Sequence, residues 1–226
     1  MSSQSKPPID LDSLVFSGRM QILRANAIEQ YSKMEASLAQ LLACLAGTTD
    51  KAASIIYFQL MNTRARTTAL EQLLQMKHRT KYDVHWHGEP GSPGKPAKPG
   101  LFALIRQADD QRNRIVHWRT IGMINAGGPH QDDELAMPDY WYRSPENPPK
   151  QITTADLEEF ILKTEFIHRS INMFVWALSR SQHFPPDVLQ AWHRIFQQPA
   201  LYPPLDSHPL SQNYKAPGSP PQPSQG

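Results

Sequence analysis

Three polar residues stand together in the segment Gln111 to Trp118, QRNRIVHW: a fixed cation at Arg112, an amide at Asn113 and a titratable imidazole at His117. On a helix, Asn113 and His117 are i and i+4 and share a face. Arg112 and His117 are five residues apart and diverge by about 140° around the axis, so they meet through the long arginine side chain or across a symmetric partner. Such a set can cleave a phosphodiester in RNA. A neutral imidazole takes the proton of a 2′-hydroxyl, or an imidazolium protonates the leaving oxygen, while a guanidinium forks onto the phosphate oxygens as charge builds there. The same residue types also occur as solvated helix side chains with a capping histidine, so the elements that carry them matter.

The apolar rhythm predicts those elements. A first helix runs from about Gly18 to Ala46, with Ile22, Tyr31, Leu38, Leu41, Leu42 and Leu45 on one stripe and Gly47 as its stop. Glu35 lies on that stripe, either as a satisfied carboxylate at the core edge or paired with Arg112 to orient it. A second helix opens at Thr49 or Asp50 and continues to about His78, partly burying Ile55, Phe58, Met61, Leu70 and Leu74. The third, about Leu101 to Met123, places Leu101, Leu104, Ile105, Ala108, Ile115 and Val116 on its apolar face, with Arg112 on that face and Asn113 beside it. The fourth starts at Thr153 or Thr154, where TADLEEF puts acids at the positive helix end, and runs to about Arg180. A short helix follows from Pro186 to Phe196.

The connections are uneven. Gly88 to Pro99, GEPGSPGKPAKP, is four triplets ending in proline, which predicts a polyproline-II spacer. The neighbouring run HRTKYDVHWH holds His78, His85 and His87 around Trp86, open to three readings: a metal cluster, an aromatic and basic RNA-stacking loop, or scattered loop histidines. Asn125 to Gln151 is a long polar loop with the acids Asp132, Asp133 and Glu134 and the aromatics Tyr140, Trp141 and Tyr142. From Leu205 the chain is rich in Pro, Ser, Gln and Gly, the composition of a disordered tail.

At 226 residues and 39% hydrophobic, the chain can bury one good core. Its single cysteine, Cys44 in LLACLAG, allows neither an internal disulfide nor a cysteine-based zinc site. The start MSSQSKPPIDLD lacks a signal sequence, and no run reaches the ~18 apolar residues of a membrane helix, so a cytoplasmic protein without membrane contact is expected. The net charge is only +2, but from Lys51 to Lys81 six basic residues face the single acid Glu71, the footprint that phosphate binding requires. No phosphate-loop, dinucleotide or nucleophile-elbow motif is present in the sequence.

The spacing Arg112-Asn113-x-x-x-His117 in the third long helix, preceded by EASLAQLLACL and IIYFQLMNTRARTTALEQLL, resembles the HEPN superfamily of small helical bundles. The resemblance covers about residues 19 to 180 and is specific at the motif. It implies a metal-independent ribonuclease site, composite across a dimer, in which Arg112 and His117 act with Asn113. Members that lack activity serve as binding modules, so the resemblance also allows an inactive module that binds RNA, nucleotide or a protein partner.

The expected architecture is therefore all-α, an up-and-down bundle of four long helices with a short accessory C-terminal helix. The bundle spans 18–200, between an N-terminal arm at 1–17 and a disordered tail at 201–226. It carries an insertion at 88–100 and a long loop at 125–151. The expected activity is endonucleolytic RNA cleavage through the 2′-hydroxyl, by a homodimer without cofactor or metal and open to a protein regulator. Arg114, Arg64 and Arg66 are the expected substrate contacts and Glu35 the orienting residue.

Overall fold

A computed structural model describes residues 11–94, 96–121, 135–137, 151–179 and 181–214. The chain is mostly helical, with seven α-helices among the described residues: α1 (Leu11–Ala46), α2 (Asp50–Gln59), α3 (Thr63–His78), α4 (Asp83–His87), α5 (Leu101–His117), α6 (Thr154–Ser179) and α7 (Pro186–Ile195). Four short strands form two antiparallel ribbons, β1 (Gly88–Glu89) with β2 (Lys98–Pro99) and β3 (Arg119–Ile121) with β4 (Leu135–Met137). Among the described residues, no single helix is long and apolar enough to cross a membrane.

The expected second helix is two helices. Asn62 ends any continuous run because its Oδ1 accepts from the Ala65 amide at 2.8 Å, capping α3, while Leu60 is already extended. A short amide side chain that bonds its own backbone offers the chain a turn in place of a helical hydrogen bond. The break also redistributes burial. On α2 the buried residues are Ala53 and Tyr57, while Ile55 and Phe58, and Met61 in the break after it, are exposed, contrary to the expected stripe. Ile22 of α1 is exposed as well, because the buried line runs through Met20, Ala27, Tyr31, Met34 and Leu38.

The proline-rich insertion is not an extended spacer at its ends. Gly88 pairs with Pro99 and Glu89 with Lys98, so the ribbon returns to its starting point. Glycine is required there: Gly88 has φ of 85°, a Cβ on Gly88 would overlap the backbone of Lys98 to Gly100, and one on Gly100 would overlap that of Trp86 to Gly88. The third helix also stops early, at His117 rather than Met123, and the chain passes directly into β3. The acidic and aromatic residues of the long loop, at 132–134 and 139–146, lie outside the described residues.

The described chain forms two compact units. The first comprises residues 1–30 and 111–161, with Met20, Ala27, Ile115, Ile152, Leu157 and Phe160 buried. In it, Thr153 and Asp156 form a reciprocal capping box for α6: the Asp156 amide donates to Thr153 Oγ1 at 3.1 Å and the Thr153 amide to Asp156 Oδ2 at 2.9 Å.

The second unit, 31–110 and 162–226, is built on aromatic rings. Trp86 lies 4.9 Å from Phe102 and 5.2 Å from Phe174, and Phe174 lies 5.0 Å from both Tyr82 and Phe196. The three pairs around Phe174 are edge-to-face, and such pairs add about 0.5–1.5 kcal/mol each beyond the area they bury. Of the histidines next to Trp86, His85 is buried in this core, His78 is half-buried and His87 is exposed at its edge. His85 is sealed between Phe174 and Phe196, His78 sits edge-on to Tyr82, and His87 packs on Phe102. Residues 201–214 continue the packing, with Tyr202 and His208 both against Phe166; the tail from 215 onward lies outside the described residues.

His85 makes this core sensitive to acid. Its Nδ1 lies 3.2 Å from the Gln198 carbonyl, which can only accept, so the proton sits on Nδ1 and Nε2 is buried without a partner. Burial pushes the imidazole down from 6.5 to about 4, against the smaller opposing effect of the Gln198 bond. Between those values the unfolded chain holds a proton that the folded one excludes. The stabilisation is thus complete above pH 6.5 and is lost as pH falls towards 4, by up to about 3 kcal/mol for this one group. Chemical denaturation across pH 7 to 4 should show this loss, and His85→Phe should flatten much of the slope; an unchanged slope would mean that His85 is not neutral in the fold.

Candidate functional site

The motif segment is held by the last turns of α5. Upstream, Gly100 supplies the first acceptor of the helix, to the Ala103 amide at 3.0 Å, and Leu101, Phe102, Leu104, Ile105 and Ala108 are buried. Ile115 is the last buried residue of the stripe. Arg112 lies on that line, four residues after Ala108 and three before Ile115, and is half-buried, whereas Asn113, Arg114 and His117 are exposed. Arg112 donates from Nη1 to Asn113 Oδ1 at 3.2 Å, so the structure brings the guanidinium and the amide together. The imidazole of His117 lies on the Asn113 side of the helix, at its final residue. Arg114 places its guanidinium 5.9 Å from the centre of the Trp118 ring, a cation over an aromatic face.

One residue that the sequence pattern did not flag closes this end of the helix. Arg24 of α1 donates from Nε and Nη2 to the Ile115 carbonyl at 3.1 and 2.7 Å, and from Nη2 to the Trp118 carbonyl at 3.0 Å and the Val116 carbonyl at 3.4 Å. The last carbonyls of a helix have no partners within it, and a cation there also meets the negative end of the helix dipole. Burial pushes the Arg24 guanidinium down from its ordinary value. Nothing local in the sequence announces the contact, because 91 residues separate Arg24 from Ile115.

A small hollow of about 70 Å³ opens beside the motif, lined by Gln111, Arg114, Ile115, Ile152, Asp156 and Phe160. Gln111 Oε1 is buried there without a hydrogen-bond partner.

The remaining expected site residues belong to the second unit. Glu35, expected to orient Arg112, forms an ion pair with Arg66, both side chains being mostly buried. Arg66 also donates from Nε to the Leu60 carbonyl at 3.1 Å and lies over the rings of Tyr57 and Phe58, at 5.0 and 5.5 Å. These contacts hold the α2–α3 break in place. Burial, helped by the Glu35 charge, pushes the Tyr31 and Tyr57 hydroxyls well above their usual range, and Tyr31 donates to Asp109 Oδ1 at 2.6 Å. Arg64 is exposed on an open groove of about 580 Å³ shared with Arg106, Glu71, Asp109 and Asp110, where Arg106 meets Glu71 at 3.5 Å. Cys44 is half-buried, and desolvation raises its thiol despite nearby Lys77. No group of three or more His, Cys, Asp or Glu among the described residues is placed to hold a metal ion.

In comparisons with known proteins, no family model, curated protein or solved structure matches this chain.

The two arginines read from sequence as substrate contacts should therefore separate by experiment. Arg66→Ala strands a mostly buried carboxylate and removes the stacking on Tyr57, which costs about 2–4 kcal/mol of stability. Arg64→Ala at an exposed position costs within about 0.5 kcal/mol. Urea midpoints of the two variants measure the difference, and equal midpoints would refute the structural role of Arg66.

Proposed function

We propose that this chain is a metal-independent endoribonuclease of HEPN type, acting on RNA in the cytoplasm as a homodimer, with its four longest helices in an up-and-down bundle. The observation that carries the reading is the arrangement at the end of α5, where a half-buried arginine is hydrogen-bonded to an adjacent amide and an exposed histidine closes the helix. In this mechanism Arg112 stabilises charge on the phosphate, His117 transfers the proton as general acid or base, and Asn113 holds Arg112 in register or contacts the scissile phosphate. Arg114 and Arg64 contribute exposed positive charge to the RNA backbone. Arg66, expected as a substrate contact, and Glu35, expected to orient Arg112, form an ion pair with one another.

A single mixed-sequence RNA, incubated with the purified protein in EDTA, tests this. Cleavage should persist without divalent ions, fall with rising salt as phosphate contacts are screened, and leave 2′,3′-cyclic phosphate ends because the internal 2′-hydroxyl is the nucleophile. DNA, lacking that hydroxyl, stays intact. His117→Ala and Arg112→Ala should each reduce the rate by about 10²- to 10⁴-fold with melting nearly unchanged. Full dependence on added magnesium, or wild-type rates in either variant, would remove the assignment. A protein that retains RNA, nucleotide or a partner protein without cutting RNA would identify an inactive HEPN-like binding module instead.

The divergence of Arg112 and His117 by about 140° on one helix calls for a two-fold partner that sets one protomer's His117 beside the other's Arg112. Light scattering at micromolar concentration should give twice the chain mass, and mixing Arg112→Ala with His117→Ala chains should restore part of the activity. A monomeric mass with full activity would end the composite arrangement.

A further inference from the structure

We propose that Arg24 is a positioning residue for His117, a role that rests on the reading of His117 as the proton-transfer group. His117 occupies the last residue of α5, the place where a helix frays first. Ile115, Val116 and Trp118 surround it in sequence, and the carbonyls of all three point to one guanidinium. Two donors of that rigid fork converge on the Ile115 oxygen, while Nη2 also reaches the Trp118 oxygen past the histidine. Downstream, Arg119 pairs with Met137 in the β3–β4 ribbon, so the backbone is fixed again two residues beyond His117. The imidazole therefore projects from a turn whose carbonyls are tied on both sides, although its own ring is exposed. An error of about 1 Å in the placement of an acid or base costs on the order of 10²-fold in rate. A lone helix end does not hold that tolerance; the Arg24 clamp supplies it.

The neighbouring arginine on the same helix is a natural control. Arg19 meets Glu158 at 3.1 Å with both side chains largely exposed, a pairing that contributes little to stability.

The test uses the full chain and three variants, Arg24→Gln, Arg24→Lys and Arg19→Gln, read in two independent ways. The first is amide hydrogen exchange at residues 116–118, with the imidazole signals of His117 in histidine-labelled protein. The second is kcat and KM for RNA cleavage. In Arg24→Gln, exchange at 116–118 should rise about 10-fold and the His117 signals broaden, with protection elsewhere in α5 unchanged. Its kcat should fall by about 10²-fold at constant KM. Arg24→Lys and millimolar free guanidinium should each recover part of both effects, and Arg19→Gln should show neither. Wild-type exchange and wild-type His117 signals in Arg24→Gln would overturn the clamp, whatever happens to RNA. Altered exchange with an unchanged kcat, in a protein whose His117→Ala variant is inactive, would overturn it as a positioning device. If the wild-type chain cuts no RNA, the ribonuclease reading fails by itself, and exchange with the His117 signals alone upholds or overturns the Arg24 clamp.

Discussion

The end of α5 is governed by a simple constraint: the last carbonyls of a helix have nothing within the helix to bond. Capping is commonly local, by a glycine in the left-handed conformation or by solvent. Here the chain reaches from His117 through Trp118 straight into β3, and a distant guanidinium takes up the carbonyl oxygens of Ile115, Val116 and Trp118. That attachment ties the end of the motif helix to α1 on both sides of His117, just ahead of the β3–β4 ribbon.

Burial then sorts the charged residues into those that hold the fold and those left open to a ligand. Arg66 is committed on every side, by Glu35, by the Leu60 carbonyl and by the rings of Tyr57 and Phe58. Arg112 is committed in part, with Asn113 as one of its partners. Arg114, Arg64 and His117 remain exposed. A guanidinium that is planar and always charged serves both purposes equally well, which is why a count of basic residues between Lys51 and Lys81 does not distinguish structural from ligand-facing cations.

Ring stacking decides the histidines in the same way. His78, His85 and His87 lie within ten residues around Trp86, a grouping that suggests a shared role. In the structure each ring finds its own aromatic neighbours, and His85 becomes a neutral component of the core with a fixed tautomer. Desolvation outweighs the single hydrogen bond to Gln198, so the group resists protonation at physiological pH.

The sequence by itself determined the helical class, the start of α6 at its Thr-x-x-Asp capping box, the short helix from Pro186, and the grouping of Arg112, Asn113 and His117 on one helix. These follow from local rules, namely apolar spacing, capping chemistry and the 100° step between residues. It also contained Asn62, but a polar residue in a helical pattern reads equally as a surface position or as a cap, and only the packing of Tyr57 and Arg66 selects the cap. The closed ribbon of the proline-rich insertion, the exposure of Ile55 and Phe58, the pairing of Glu35 with Arg66 and the clamp of Arg24 were decided by tertiary structure. Each depends on groups brought together from distant parts of the chain or on which of two faces of a helix finds a partner, and neither propensity nor periodicity encodes that choice.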